Sequence, residues 1–98
     1  MHKLDHIVAV IAEEASEITK EAMKIQRFGA KSINPLDTKP VTSEQKLFDE
    51  LNDLLATIEM YLEERYHCHM SFTTLVDREK MEQKKAKVLN MMNIGRVE

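Results

Sequence analysis

Apolar residues recur at steps of three and four along the N-terminal part of the chain, and no other feature restricts the fold as much. The series consists of Leu4, Ile7, Val8, Ile11, Ala15, Ile18, Ala22 and Ile25. This spacing indicates an amphipathic helix with one buried stripe. Only two Gly, two Pro and no Trp occur in 98 residues, which is typical of long helices with short breaks. The sequence therefore predicts an all-α fold in a single domain, residues 1–98.

Local signals predict where the helices begin and end. The first helix should end near Phe28 with Gly29 as its C-terminal cap, before a proline-containing loop over residues 30–41. Thr42 and Gln45 have the spacing of a capping box, which predicts a second helix continuing to about residue 66.

A weaker helical pattern follows a connector at residues 67–73. The third helix is expected from about Thr74 to Met92, before Gly95 stops it. Its weakly buried residues should be Met81, Val88, Leu89 and Met92. We expect an antiparallel bundle of about three helices per chain, completed by oligomerisation into a homodimer or homotetramer, because the apolar surface exceeds what one short bundle covers.

Charge and cysteine content limit the class of partner and the compartment. The formal net charge is −3, which gives no general attraction to polymeric nucleic acid. No apolar stretch approaches the length of a membrane span, and the apolar run at residues 7–12 leads directly into Glu13 without a signal-peptide pattern. The single cysteine, Cys68, fits a reducing compartment. We expect a cytoplasmic protein with neither a membrane nor a nucleic-acid partner.

Two acidic pairs stand three residues apart on the first two predicted helices: Glu14 with Glu17, and Glu50 with Asp53. Side chains at this spacing have Cβ atoms about 5–6 Å apart, and each pair falls on one flank of its apolar stripe. Antiparallel packing would bring the four carboxylates to one side of the seam. Since about three such pairs are expected by chance and the chain has three, the spacing alone favours a solvated acidic face.

The residues around these pairs carry a more specific pattern. The first helix reads E-E-A-S-E at residues 13–17 and ends K-I-Q-R-F-G at residues 24–29, while the second reads E-L-N-D at residues 50–53. This combination resembles the MazG-like family of all-α nucleoside-triphosphate pyrophosphohydrolases, which is marked by E-E-x-x-E on one helix and E-x-x-D on the next. A Lys-rich closing helix around residues 84–88 extends the resemblance over most of the chain.

The resemblance implies a metal site and a reaction. Glu14, Glu17, Glu50 and Asp53 would be the catalytic ligands of Mg²⁺, or of Mn²⁺ in its place, and the substrate would be a nucleoside or deoxynucleoside triphosphate cleaved to the monophosphate and pyrophosphate. Mg²⁺ suits this chemistry because it takes oxygen ligands and bridges carboxylates to phosphate oxygens. Glu13 points about 100° away from its neighbour and is not expected to bind the ion.

Basic and aromatic residues near the end of the first helix are candidates for substrate contacts. Lys24 lies on nearly the same face as Glu17, about 10 Å further along the axis, and is expected to contact a phosphate. Arg27 is turned further from the acids, so a solvated surface position is an equal alternative. Phe28 is expected in the core, with stacking on a base as the alternative.

Two departures from the family pattern leave other functions open. The gap between the two motifs is longer than usual, and Ser43 stands where small family members often carry Asn, which bears on base or sugar recognition. One alternative is a degenerate family member that binds nucleotides without hydrolysing them. The other is a non-catalytic helical module that oligomerises or binds a partner helix.

Overall fold

Two long helices joined by an ordered loop account for the tertiary packing. The computed structural model describes residues 2–95. The helices are α1 (Lys3–Phe28), α2 (Ser43–Tyr66) and α3 (Arg78–Gly95), with a short 3-10 helix at Phe72–Leu75. The all-α prediction is confirmed for this part of the chain, where the only β pairing is an isolated bridge. Every described helix also carries too little apolar sequence to serve as a membrane span.

The two long helices run antiparallel. At one end Lys3 of α1 forms an ion pair with Glu64 of α2 at 3.2 Å. At the other end the Ser32 hydroxyl, just beyond α1, lies 2.7 Å from the hydroxyl of Ser43. The start of α1 thus faces the end of α2, and these two contacts fix the register of the helices relative to each other.

Capping groups position the loop that joins α1 to α2. Gly29 ends α1 with a positive φ of 93°, a conformation that glycine adopts without strain. The capping box of Thr42 and Gln45 is present as the sequence predicted. Loop carbonyls of Ala30 and Ser32 accept hydrogen bonds from the first amides of α2, which would otherwise lack partners. The loop is therefore fastened to the helix that follows it.

The core between the helices is thin. Ile7 and Leu62 are the buried apolar side chains of the described chain, each 5% exposed. Most other members of the two stripes are only half-buried, and several large apolar residues are exposed, including Val8, Met23 and Met60. A hairpin of this size buries little apolar surface, so burial contributes only modestly to its stability.

The third helix differs from the sequence-based expectation. It begins at Arg78 rather than Thr74, because Thr74 belongs to the 3-10 helix that Ser71 caps. In the described part of the chain α3 packs against neither α1 nor α2, so the expected three-helix bundle within one chain is wrong. The residues expected to be weakly buried are all exposed: Met81, Val88, Leu89 and Met92. Lys84 and Lys85 interrupt the apolar face of α3 one turn after Met81, which explains its weak amphipathic character.

Candidate functional site

Three of the four predicted metal ligands meet at the middle of the α1–α2 seam. Carboxylate oxygens of Glu14, Glu50 and Asp53 lie within 4.8 Å of one another; we call these residues the acid triad. The helix register explains the meeting, because Glu14 lies eleven residues after Lys3 and Asp53 lies eleven residues before Glu64. The end pair and the acid triad are therefore two consequences of one antiparallel alignment.

The acid triad is partly shielded from water, and its members form no ion pair with a basic side chain of the described residues. Glu14 and Glu50 are half-buried, whereas Asp53 is exposed. The Oε2 atom of Glu14 is buried and has no hydrogen-bond partner among the described residues. Leaving a carboxylate oxygen buried and unpartnered is costly. A divalent cation with oxygen ligands fits this set of donors, since it would satisfy the buried oxygen and offset the repulsion.

Burial and nearby carboxyl groups raise the pKa of Glu50. Its burial raises the pKa of the carboxyl above the usual range for glutamate, and the nearby Glu14 carboxyl raises it further. The charges of Glu14, Asp53 and Glu17 all raise the pKa of Glu50 as well. A half-buried group of carboxylates thus resists carrying its full negative charge, and a bound cation would relieve that repulsion.

Glu17, the fourth predicted ligand, lies outside this close group. It is near enough for its charge to act on Glu50, but its Oε2 atom lies 3.9 Å from the ammonium of Lys20. The helix accounts for this, because residues three apart are neighbours on its surface and opposite charges attract there. Glu13 is exposed, as expected for a surface residue.

Lys24 faces the seam, where it pairs with an acid that the sequence analysis did not single out. Its ammonium lies 3.2 Å from Oε1 of Glu21, which is only 6% exposed, and the other oxygen of Glu21 is buried without a hydrogen-bond partner among residues 2–95. Glu21 follows Glu14 by seven residues, which is two turns along the same face. That spacing was a usable signal in the sequence.

A second lysine, Lys46, lies one turn before Glu50 on α2 and was also missed. A hydrogen bond with Asp37 raises the pKa of Lys46 above its usual value, against the lowering effect of burial. The charges of Asp37 and Glu21 add to the increase. The sequence placed Lys46 four residues before Glu50, but only the loop conformation reveals its partner Asp37.

Between the two lysines and the loop lies a cleft of about 400 Å³, which we call the loop cleft. It is lined by Lys24, Phe28, Ser32, Ile33, Asn34, Pro35, Ser43 and Lys46. The expectation that Phe28 belongs to the core is wrong, since its side chain is 66% exposed and forms part of the cleft wall. Phe28 lies at the end of the apolar stripe, beyond the part of α1 that α2 covers.

Arg27 does not line the loop cleft. Its guanidinium carbon lies 5.9 Å from the centre of the Phe28 ring, an arrangement in which cation–π attraction operates. The arginine instead faces a second, smaller depression together with Lys20 and Met23. Of the two predicted phosphate contacts, the structure places Lys24 in the wall of the loop cleft, ten residues beyond Glu14 along α1, and Arg27 beside the ring of Phe28.

Comparisons with known proteins identify no relative of this chain. No family model, no curated protein and no solved structure matches the chain. The resemblance to the MazG-like family therefore stays a prediction from the motifs, and the functional argument depends on the geometry of the acid triad, the two lysines and the loop cleft.

Proposed function

We propose that this protein is a Mg²⁺-dependent nucleoside triphosphate pyrophosphohydrolase, with Mn²⁺ able to replace Mg²⁺. The reaction would add water across the anhydride between the α and β phosphoryl groups, giving a (deoxy)nucleoside monophosphate and pyrophosphate. The observation that carries the proposal is the meeting of Glu14, Glu50 and Asp53 from two helices, in a hairpin whose loop end has a cleft lined by Lys24 and Lys46. Metal-dependent phosphoryl chemistry uses carboxylates to hold the metal ion, basic side chains to bind the phosphates and a cleft to hold the substrate.

The acid triad would hold the cation. Glu14 offers a buried oxygen that has no partner among the described residues, and Glu50 and Asp53 approach it from the facing helix. Glu17 belongs to the ligand set implied by the family resemblance, and its charge reaches the same place. When bound, Mg²⁺ supplies charge neutralisation and a more acidic water. The helices supply rigid positions for the carboxylates, so little reorganisation is needed on binding.

The two lysines would bind the phosphate chain. Lys46 lies one turn from Glu50 on α2, and Lys24 lies across the seam on α1. Each can exchange its carboxylate partner for a phosphate oxygen, because both acceptors are anionic oxygens. Their present partners, Asp37 and Glu21, hold them beside the cleft in the absence of substrate. Arg27 would act only at the edge of the site.

We also propose that the protein works in the cytoplasm as a homodimer or homotetramer. The described residues of α3 from 78 to 93 are all exposed, and an isolated helix of this length is marginally stable in water. Several of its apolar side chains are therefore available to a second copy. The same exposure also favours a competing function, that of a non-catalytic helical module that oligomerises or binds a partner helix.

A product analysis tests the reaction. Purified protein is incubated with a panel of ribo- and deoxyribonucleoside triphosphates and Mg²⁺ in ¹⁸O-labelled water, and the products are identified by mass. Monophosphate with pyrophosphate supports the proposal, and the label shows which phosphorus was attacked. Release of orthophosphate would contradict it. Nucleotide binding without turnover would identify a degenerate, non-hydrolytic member instead.

Matched variants connect the products to the site. Glu14→Gln and Asp53→Asn should abolish turnover while circular dichroism shows unchanged helix content. Glu79→Gln is the control, since Glu79 belongs to an acid pair of the same spacing on α3 and is exposed there. If Glu14→Gln turned over like the unmodified protein, the proposed catalytic centre would be wrong.

A further inference from the structure

We infer that the loop cleft binds the nucleoside half of the substrate, with the Phe28 ring as its stacking surface and the hydroxyl of Ser43 as a hydrogen-bond acceptor. This inference rests on the proposed function, because it assumes that the phosphate chain extends from the cleft to the acid triad. It assigns base and sugar recognition to residues that the metal site does not use.

The size and the walls of the loop cleft suit a heterocycle with its sugar. Its volume of about 400 Å³ falls in the range of small-molecule sites, which are mostly apolar with a few placed polar groups. Phe28, Ile33 and Pro35 provide the apolar wall. The exposure of Phe28, at 66%, leaves the ring available for stacking on a base.

The positions of the two lysines leave the loop side of the cleft for an uncharged ligand group. Lys24 is paired with Glu21, and Lys46 with Asp37. Both lysines lie on the long helices, and Lys46 precedes Glu50 by one turn, so a phosphate that displaces either carboxylate partner would lie on the side of the cleft toward the acid triad. The anionic end of a nucleotide would lie toward the acid triad, where a divalent cation can neutralise it. The base and sugar would remain between the loop and Phe28.

Hydrogen bonding fixes the polarity of the two serines in the cleft wall. The Ser32 hydroxyl donates its single hydrogen to the carbonyl of Gly29 at 2.8 Å. The hydroxyls of Ser32 and Ser43 are 2.7 Å apart, so Ser43 donates to Ser32 across this contact. The alternative acceptor for Ser43, the Ser32 carbonyl, is more distant at 3.4 Å. Both hydrogens are then used, and Ser43 presents only acceptor lone pairs to a ligand.

Asn34 provides the complementary group. Its Oδ1 atom accepts a hydrogen bond from the amide of Leu36 at 3.0 Å, and this donor fixes which end of the side chain is the oxygen. The Asn34 amide nitrogen is thereby left as the donor end in the cleft wall. One acceptor and one donor in an apolar cleft match the edge of a nucleobase, which carries both kinds of group.

The test compares two phosphate ligands that differ only in the nucleoside. Dissociation constants are measured by calorimetry at saturating Mg²⁺ for a nucleoside triphosphate, with its preferred base chosen from a panel, and for inorganic tripolyphosphate. Phe28→Leu and Ser43→Ala should each weaken the nucleotide about tenfold and leave tripolyphosphate unchanged. Phe48→Leu is the control, because Phe48 is also exposed, at 57%, but lies outside the cleft lining.

The outcomes separate this inference from the proposed function. Equal nucleotide affinity in Phe28→Leu and the unmodified protein would overturn the inference, as would an equal loss for tripolyphosphate. The proposed function would survive either result. Failure of the unmodified protein to bind both ligands with Mg²⁺ would overturn the proposed function and the inference together. Retained tripolyphosphate binding by Ser43→Ala shows that this variant is folded.

Discussion

Glu14 and Glu50 belong to different helices, yet their carboxylates lie together in the seam, with oxygen atoms within 4.8 Å of each other. Two negative groups in a half-buried position oppose folding unless something neutralises them. A protein tolerates such an arrangement at a functional site, where a ligand supplies the missing charge.

Removing the charge of Glu50 should stabilise the metal-free protein. Because the pKa of Glu50 is raised on folding, the folded state binds its proton more tightly than the unfolded state does. The free energy of unfolding should therefore fall as pH rises from the ordinary glutamate range through the raised pKa. Glu50→Gln should lose that part of the pH dependence and melt at a higher temperature at neutral pH in the presence of chelator.

Thermal melts of Glu50→Gln, Glu79→Gln and the unmodified protein across this pH range provide the measurement. Glu79→Gln should follow the unmodified protein, since Glu79 lies on α3 away from the seam. A lower melting temperature for Glu50→Gln without metal would show that the carboxylate stabilises the seam by itself, against our account.

Lys24 should contribute to nucleotide binding far more than its neighbour Lys20. Both lysines pair with an acid on α1, but only Lys24 lines the loop cleft. Lys24→Gln should weaken binding of a nucleoside triphosphate with Mg²⁺ about tenfold or more, because a charge-assisted hydrogen bond to phosphate is lost. Isothermal calorimetry with Lys20→Gln as the control measures the effect. Equal losses in the two variants would indicate a general effect of surface charge.

The capping box at the start of α2 should stabilise the whole hairpin. Thr42 accepts a hydrogen bond from the amide of Gln45 at 3.2 Å, and the Gln45 side chain accepts one from the Thr42 amide at 3.1 Å. Thr42→Ala should lower the free energy of unfolding by about 1 kcal/mol. Urea denaturation measures this, with Thr38→Ala in the exposed loop as the comparison. A similar loss of unfolding free energy at both positions would mean that the capping box stabilises the hairpin no more than an exposed loop residue does.

The exposed apolar residues of α3 should be covered by another copy of the chain. Leu89 is 59% exposed, and placing a charge there should disrupt an apolar contact between copies. Leu89→Lys should shift the protein to a smaller species in sedimentation velocity, whereas Lys85→Gln, on the same helix, should not. A monomeric unmodified protein at micromolar concentration would contradict the expected oligomer.

Much of the hairpin was predictable because its signals are local. The end of α1 at Phe28, the C-terminal cap at Gly29 and the capping box of Thr42 follow from neighbouring residues, and each is confirmed. The predicted start of α3 at Thr74 was four residues too early, because Ser71 caps a 3-10 helix that begins at Phe72 and includes Thr74. Helical periodicity identifies an apolar face but not what covers it, which is why the packing of α3 could not be predicted.

The site was predictable to the extent that helix register determines it. The acid triad follows from two pairs on facing stripes, whereas the turn of Glu17 toward Lys20 depends on a side-chain rotamer. Lys46 meets Asp37 nine residues earlier in the chain through the fold of the loop, and no periodicity encodes that contact. The exposed position of Phe28 likewise depends on where α2 stops covering α1.

Binding of Mn²⁺, followed by electron paramagnetic resonance, tests the central claim most directly. The unmodified protein should bind the ion saturably, Mg²⁺ should compete, and Glu14→Gln and Asp53→Asn should each bind much more weakly while Glu79→Gln binds normally. If the two seam variants bound Mn²⁺ as the unmodified protein does, the acid triad would not be the metal site and the account would be wrong.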